Sequence, residues 1–117
     1  MRRRDLLKAA PALALVGAAP EVASAHSDTP VMALFREWKA AQDAEDAAYA
    51  DSLSDEETGR FGDIRATAEK RLMDQPCQTA TDFICKVIAH TAFGVFCLPD
   101  PDDRPEFWAE ARVLIGA

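Results

Sequence analysis

Residues 30–74 read PVMALFREWKAAQDAEDAAYADSLSDEETGRFGDIRATAEKRLMD, and this stretch decides the fold. Asp28 or Thr29 can cap a helix, and Pro30 suits its first turn, where a missing N–H costs nothing. Val31, Leu34, Phe35, Trp38, Ala41, Ala48 and Tyr49 then recur on one face at helical spacing. Lys39 and Asp43 form an i,i+4 pair on the solvent side. A second helix opens at Ser54, which stands at capping-box spacing from Glu57. Asp55, Glu56 and Glu57 suit its positive end, and Lys70 and Arg71 its negative end. Phe61, Ile64, Ala68 and Leu72 make its apolar stripe. Gly59 and Gly62 weaken its start by roughly 1 kcal/mol each, which marks either a close helix crossing or a later start. Two long helices joined by a few residues predict an antiparallel hairpin.

After Pro76 the pattern shortens. TATDFICKVIAHTAFG, residues 79–94, predicts a helix capped by Thr79 with Asp82 three residues on. Phe83, Ile84, Val87 and Ile88 form its apolar face, and Gly94 is placed to end it. LPDPDDRP, residues 98–105, is a proline-stiffened acidic loop. Pro105 opens a last helix carrying Phe107, Trp108, Ala111, Leu114 and Ile115. The fold class is all-α: a long hairpin (about 30–51 and 55–74) closed by two shorter helices (about 80–93 and 105–115).

The chain opens differently. MRRRDLLKAAPALALVGAAPEVASA, residues 1–25, has a basic start, an apolar middle too short to span a bilayer, and a small-residue exit at Ala23 and Ala25. Arg3, Arg4, Leu6, Leu7 and Lys8 resemble the twin-arginine export motif, a receptor-read address. Residues 1–25 are therefore expected to be a twin-arginine-type signal peptide, removed after Ala25, and 26–117 a single domain in the periplasm. Arg2 and Leu6 depart from the usual export pattern, and the alternative keeps the chain in the cytoplasm as a small helical regulator or phage-type accessory protein.

The charge balance restricts the partners. The formal net charge is -7, and loss of the leader, with Arg2, Arg3, Arg4 and Lys8 against Asp5 and Glu21, takes it to -9. Such a surface repels nucleic-acid phosphates and anionic lipid. No nucleic acid is expected as partner, and the membrane only through the leader during export.

Candidate chemistry is sparse. Cys77, Cys85 and Cys97 are an odd count with no C-x-x-C, so neither a zinc ribbon nor a thioredoxin-like site is expected. About 20 Å of helix separates Cys77 from Cys97, beyond disulfide reach. Cys85 to Cys97 is open only if the chain folds straight back. Burial of Cys85 as a small apolar residue is expected. Cys85 and His90 lie off the i,i+4 spacing of a shared helix face, so His90 is expected as a partly buried, hydrogen-bonded residue and no catalytic residue is assigned. Asp100, Asp102, Asp103 and Glu106 lack the glycine and distal glutamate of a calcium loop, and helix capping is their expected role. No cofactor is expected. A remote copper reading uses His26, which cleavage would make the first residue, together with His90.

The aromatics Phe35, Trp38, Phe61, Phe83, Phe107 and Trp108 are candidate core or interface residues, with Phe93 and Phe96 beside them. A domain this small exposes apolar surface it cannot bury alone, which points to binding of another protein or self-association, without catalysis.

The leader, LFREWKAA, a charged second helix ending in LMDQP, TATDFICKVIAHTAFGVFCLPD and the terminal FWAEARVLIGA together resemble a family of small uncharacterised helical proteins of alphaproteobacteria, especially the Rhodobacter group. The resemblance implies a bacterial origin and a helical fold. It adds no catalytic residue.

Overall fold

In the computed structural model, which describes residues 28–117, the chain folds into four helices: α1 (Pro30–Ala50), α2 (Asp55–Asp74), α3 (Ala80–Thr91) and α4 (Pro105–Ile115). No strand occurs among the described residues. The residues of the export motif and cleavage site, and His26, lie outside them.

The local signals act as expected. Thr29 caps α1 by accepting a hydrogen bond from Met32 N, with Pro30 at the start. Ser54 and Glu57 form the reciprocal capping box of α2. Thr79 and Asp82 form that of α3. Each cap satisfies amides that a helix start leaves without partners, a contribution of about 1 kcal/mol.

Cross-helix pairs fix the hairpin's sense. Arg71 meets Glu37 at 2.8 Å and Arg65 meets Glu45 at 3.0 Å, so the register descends along α2 as it rises along α1. Gly62 sits in that seam: a Cβ there would stand 3.0 Å from Glu45 Oε2. Gly59 faces open space and marks no crossing. α3 runs parallel to α1, since Thr29 donates to Asp82 near their starts and Trp38 packs on Phe93 further along. α4 packs on α3 in the same sense, Phe107 on Phe83 and Glu110 on Lys86.

The core is Val31, Trp38, Ala41, Ala68, Leu72 and Ala89, with Leu34, Phe35, Cys85 and Ile88 packed around it. Of the candidate aromatics, Trp38 and Phe107 are buried. Phe35, Phe61, Phe83 and Trp108 are half-buried. Several residues of the expected stripes are exposed instead: Tyr49, Ile64, Ile84 and Ile115. A helical stripe is more than 100° wide, and a partner on one flank covers only part of it. In α3 the buried positions include Asp82, Lys86 and Ala89, so its packed face is rotated from the expected one and is partly ionic.

Two further expectations need correction. α3 stops before Gly94, because Ala92 and Phe93 already take left-handed backbone at φ 50° and 58°. The acids of residues 100–106 do not cap α4: Arg104 holds the cap position with no side-chain bond, and Asp100 instead accepts from Asp102 N within the loop. No helix among the described residues is long and apolar enough to cross a membrane.

Candidate functional site

Three features of the described residues combine reactive, charged or apolar groups in unusual settings. They are a polar cleft, an apolar loop beside it and a buried ion pair under α4.

The cleft, of ≈ 420 Å³, lies where α1, α2 and α3 meet. Arg65 organises it. Its Nε donates to Glu45 Oε1 at 3.0 Å and its Nη1 to Glu69 Oε1 at 3.3 Å, which pins one oxygen of each carboxylate. Burial opposes the guanidinium charge, yet these two carboxylates raise the Arg65 pKa above its ordinary value. Glu69 Oε2 is left 3.5 Å from His90 Nδ1, in a geometry that makes no hydrogen bond. His90 is therefore partly buried as expected but not hydrogen-bonded through that nitrogen. Asp46 and Gln42 complete the polar wall, and Tyr49 and Phe96 stand at the mouth. Three carboxylates face one guanidinium, so the cleft is an anionic pocket with aromatic edges.

Phe96 also belongs to the second feature. Residues 92–94 have positive φ in succession, a backbone costing roughly 1 kcal/mol for each residue with a Cβ. Thr91 holds this turn: its hydroxyl donates to Val87 O at 2.7 Å and accepts from Gly94 N at 3.0 Å. Phe96 N then donates to Thr91 O at 2.9 Å. The outcome is a reversal that presents Phe93, Val95, Phe96 and Leu98 to solvent, with Val95 73% exposed. One edge is tied down, since Phe93 packs on Trp38 and lies under Lys39 Nζ, 5.9 Å from the ring centroid.

The third feature is Lys86, 3% exposed on α3. Its ammonium donates to Met73 O at 3.1 Å and to Glu110 Oε1 at 2.8 Å. Glu110 Oε2 accepts from Cys77 N at 2.6 Å. Burial opposes the Glu110 charge, yet the ammonium and the amide together hold its carboxyl below the usual range. Burial, with Glu110 adjacent, pushes the Cys77 thiol up to about 12. Cys77 is thus a poor nucleophile at neutral pH. Cys85 is half-buried, not enclosed as expected, and burial raises its thiol too. Cys97 is exposed, and all three cysteines are free.

No reading of the sequence singled out Glu45, Arg65, Glu69 or the Lys86–Glu110 pair. A lysine inside the apolar run FICKVIA was the one available signal for the last, and the i,i+4 spacing of Arg65 and Glu69 for the first. Among the described residues no three His, Cys, Asp or Glu side chains converge as a metal-holding group. Comparison of the chain with family models, curated proteins and solved structures gives no match.

Proposed function

We propose that this is an exported helical protein that acts by binding another protein chain, through the apolar loop at residues 93–98. One observation carries the reading: Phe93, Val95, Phe96 and Leu98 stand exposed together on a turn held by Thr91. Scattered exposed apolar residues need no explanation, but four within six positions are an association surface in the making. A rigid presentation suits binding, because little loop entropy remains to be lost on contact. Export rests on the amino-terminal signal pattern, and the acidic mature surface keeps such a protein soluble outside the cytoplasm.

A photo-crosslinking amino acid at Val95, with the same group at the exposed Lys70 as control, tests the binding surface in living cells. An adduct from position 95 and none from position 70 is expected. Absence of any adduct from position 95 removes the reading. For export, Arg3→Lys with Arg4→Lys should retain the leader and leave the chain in the cytoplasm. Unchanged amino-terminal processing, read by mass spectrometry, would remove that part.

A further inference from the structure

Resting on that binding reading, we infer that the anionic cleft and the apolar loop together receive the last turn of α4 of a second copy of this chain, with Arg112 entering the cleft. Phe96 lines the cleft and belongs to the loop, so the two form one continuous surface, anionic on one side and apolar on the other. Its complement is a cationic side chain flanked by apolar ones. The end of α4 carries that combination.

Every lysine and arginine among the described residues pairs with a carboxylate except Arg112. Arg112 is exposed, and it is followed by Val113 and Ile115, 77% and 76% exposed, the two most exposed large apolar residues described. In the cleft, Arg65 neutralises one of three carboxylate charges. Glu69 Oε2 and the Asp46 carboxylate lie outside its grip. A guanidinium is the cation best suited to reach two carboxylates at once, and Tyr49 and Phe96 offer it aromatic faces. Val113 and Ile115 would then meet Val95, Phe96 and Leu98, which removes apolar surface from water on both sides. The overall negative charge of each copy opposes approach, so the contact depends on this local match of opposite charges.

The donor turn and the receiving surface are different parts of the chain. The contact either occurs twice about a two-fold axis, as a reciprocal dimer, or repeats head to tail into a ring or an open chain.

The test is sedimentation of the purified full chain from micromolar to millimolar concentration. Five proteins are compared: wild type, Arg112→Glu, Asp46→Lys, those two substitutions combined, and Phe96→Asp. Both positions are exposed, and circular dichroism checks that helix content is kept. Reversible association of the wild type is expected. Each single reversal should weaken it about tenfold or more, the scale of a lost interfacial charge pair, and the double reversal should recover it. A wild type that stays monomeric throughout overturns the inference, whereas an adduct from position 95 to a different protein would leave the binding reading standing. Association that both reversals leave unchanged also overturns it. Association abolished by Phe96→Asp but not by Arg112→Glu assigns the loop a different occupant, and does the same.

Discussion

Val31, Trp38 and Leu72 are wholly enclosed in the core shared by α1, α2 and α3, while the apolar residues from Phe93 to Leu98 stand in water. The hairpin and α3 close around an apolar centre, with ion pairs such as Arg71–Glu37 at its rim. The part beyond α3 is fastened otherwise. α4 is held by one enclosed ring, Phe107, tilted against Phe83 with the ring centroids 4.6 Å apart, and by the Lys86–Glu110 pair. Apolar burial is non-directional and tolerates small shifts, whereas a buried ion pair holds only in good geometry. A polar latch fixes where α4 sits with little buried area, which leaves Arg112, Val113 and Ile115 at its far end exposed. Regions held in this way open more readily than a dry core.

The comparison can be broken first at Trp38. Trp38→Ala should cost about 3–5 kcal/mol of global stability in chemical denaturation, the range for emptying a buried aromatic site. A loss below about 1 kcal/mol would mean that the hairpin core does not carry the fold. The Trp38 Nε1 atom is enclosed without a hydrogen-bond partner, so its contribution comes from packing alone.

Lys86→Met sharpens the contrast. The substitution keeps much of the volume but leaves Glu110 charged and Met73 O without its ammonium. The expected cost is about 3 kcal/mol, the low end for breaking a buried pair because Glu110 is partly solvated. Amide hydrogen exchange should accelerate in α4 and stay slow in α1 and α2. Uniform acceleration would show that α4 opens only with the whole molecule.

The same latch has a pH dependence with a definite sign. Glu110 titrates lower folded than its reference value of 4.5, so its contribution is complete above that value. It is lost as pH falls through the lowered folded value. Protection of α4 amides should therefore drop in acid in the wild type and much less in Lys86→Met.

Gly59→Ala should stabilise α2 by about 0.5–1 kcal/mol, because the new methyl meets open space in a helix interior. The same change at Gly62 should gain less, since Glu45 must yield. Equal gains at both would remove the close approach in the hairpin seam. The smallest effect concerns the thiols and leaves stability untouched. Iodoacetamide at neutral pH should label Cys97 first and Cys77 last, as burial pushes the Cys77 thiol up to about 12. Early labelling of Cys77 would mean that the latch is open in solution.

What was legible in the residues was local. Thr29, Ser54 with Glu57 and Thr79 with Asp82 announce helix starts, because a cap involves groups only two or three positions apart. The Lys39–Asp43 pair, 2.6 Å apart, is local in the same sense. The hairpin follows from two long stripes and a short link. The end of α3 misled because glycine is the usual left-handed residue, while here Ala92 and Phe93 adopt that backbone under the hold of Thr91.

Periodicity names a stripe but not the neighbour that covers it. Ala68 and Ile64 lie on one stripe of α2, yet Ala68 is enclosed and Ile64 is not. The choice depends on where α1 and α3 happen to pass. The cleft is the same case: Glu45, Arg65, Glu69 and His90 come from three helices, and each of the first three alone reads as an ordinary surface charge. Four helices, the caps of the first three and the antiparallel pairing of the first two are written in the residues, since those depend on contacts a few residues apart or on a short link. Tertiary packing set Lys86 against Glu110, left residues 93–98 in solvent and gave Glu45 and Glu69 one guanidinium between them. Those outcomes depend on distant segments meeting, and no spacing along the chain encodes the angle at which packed helices cross.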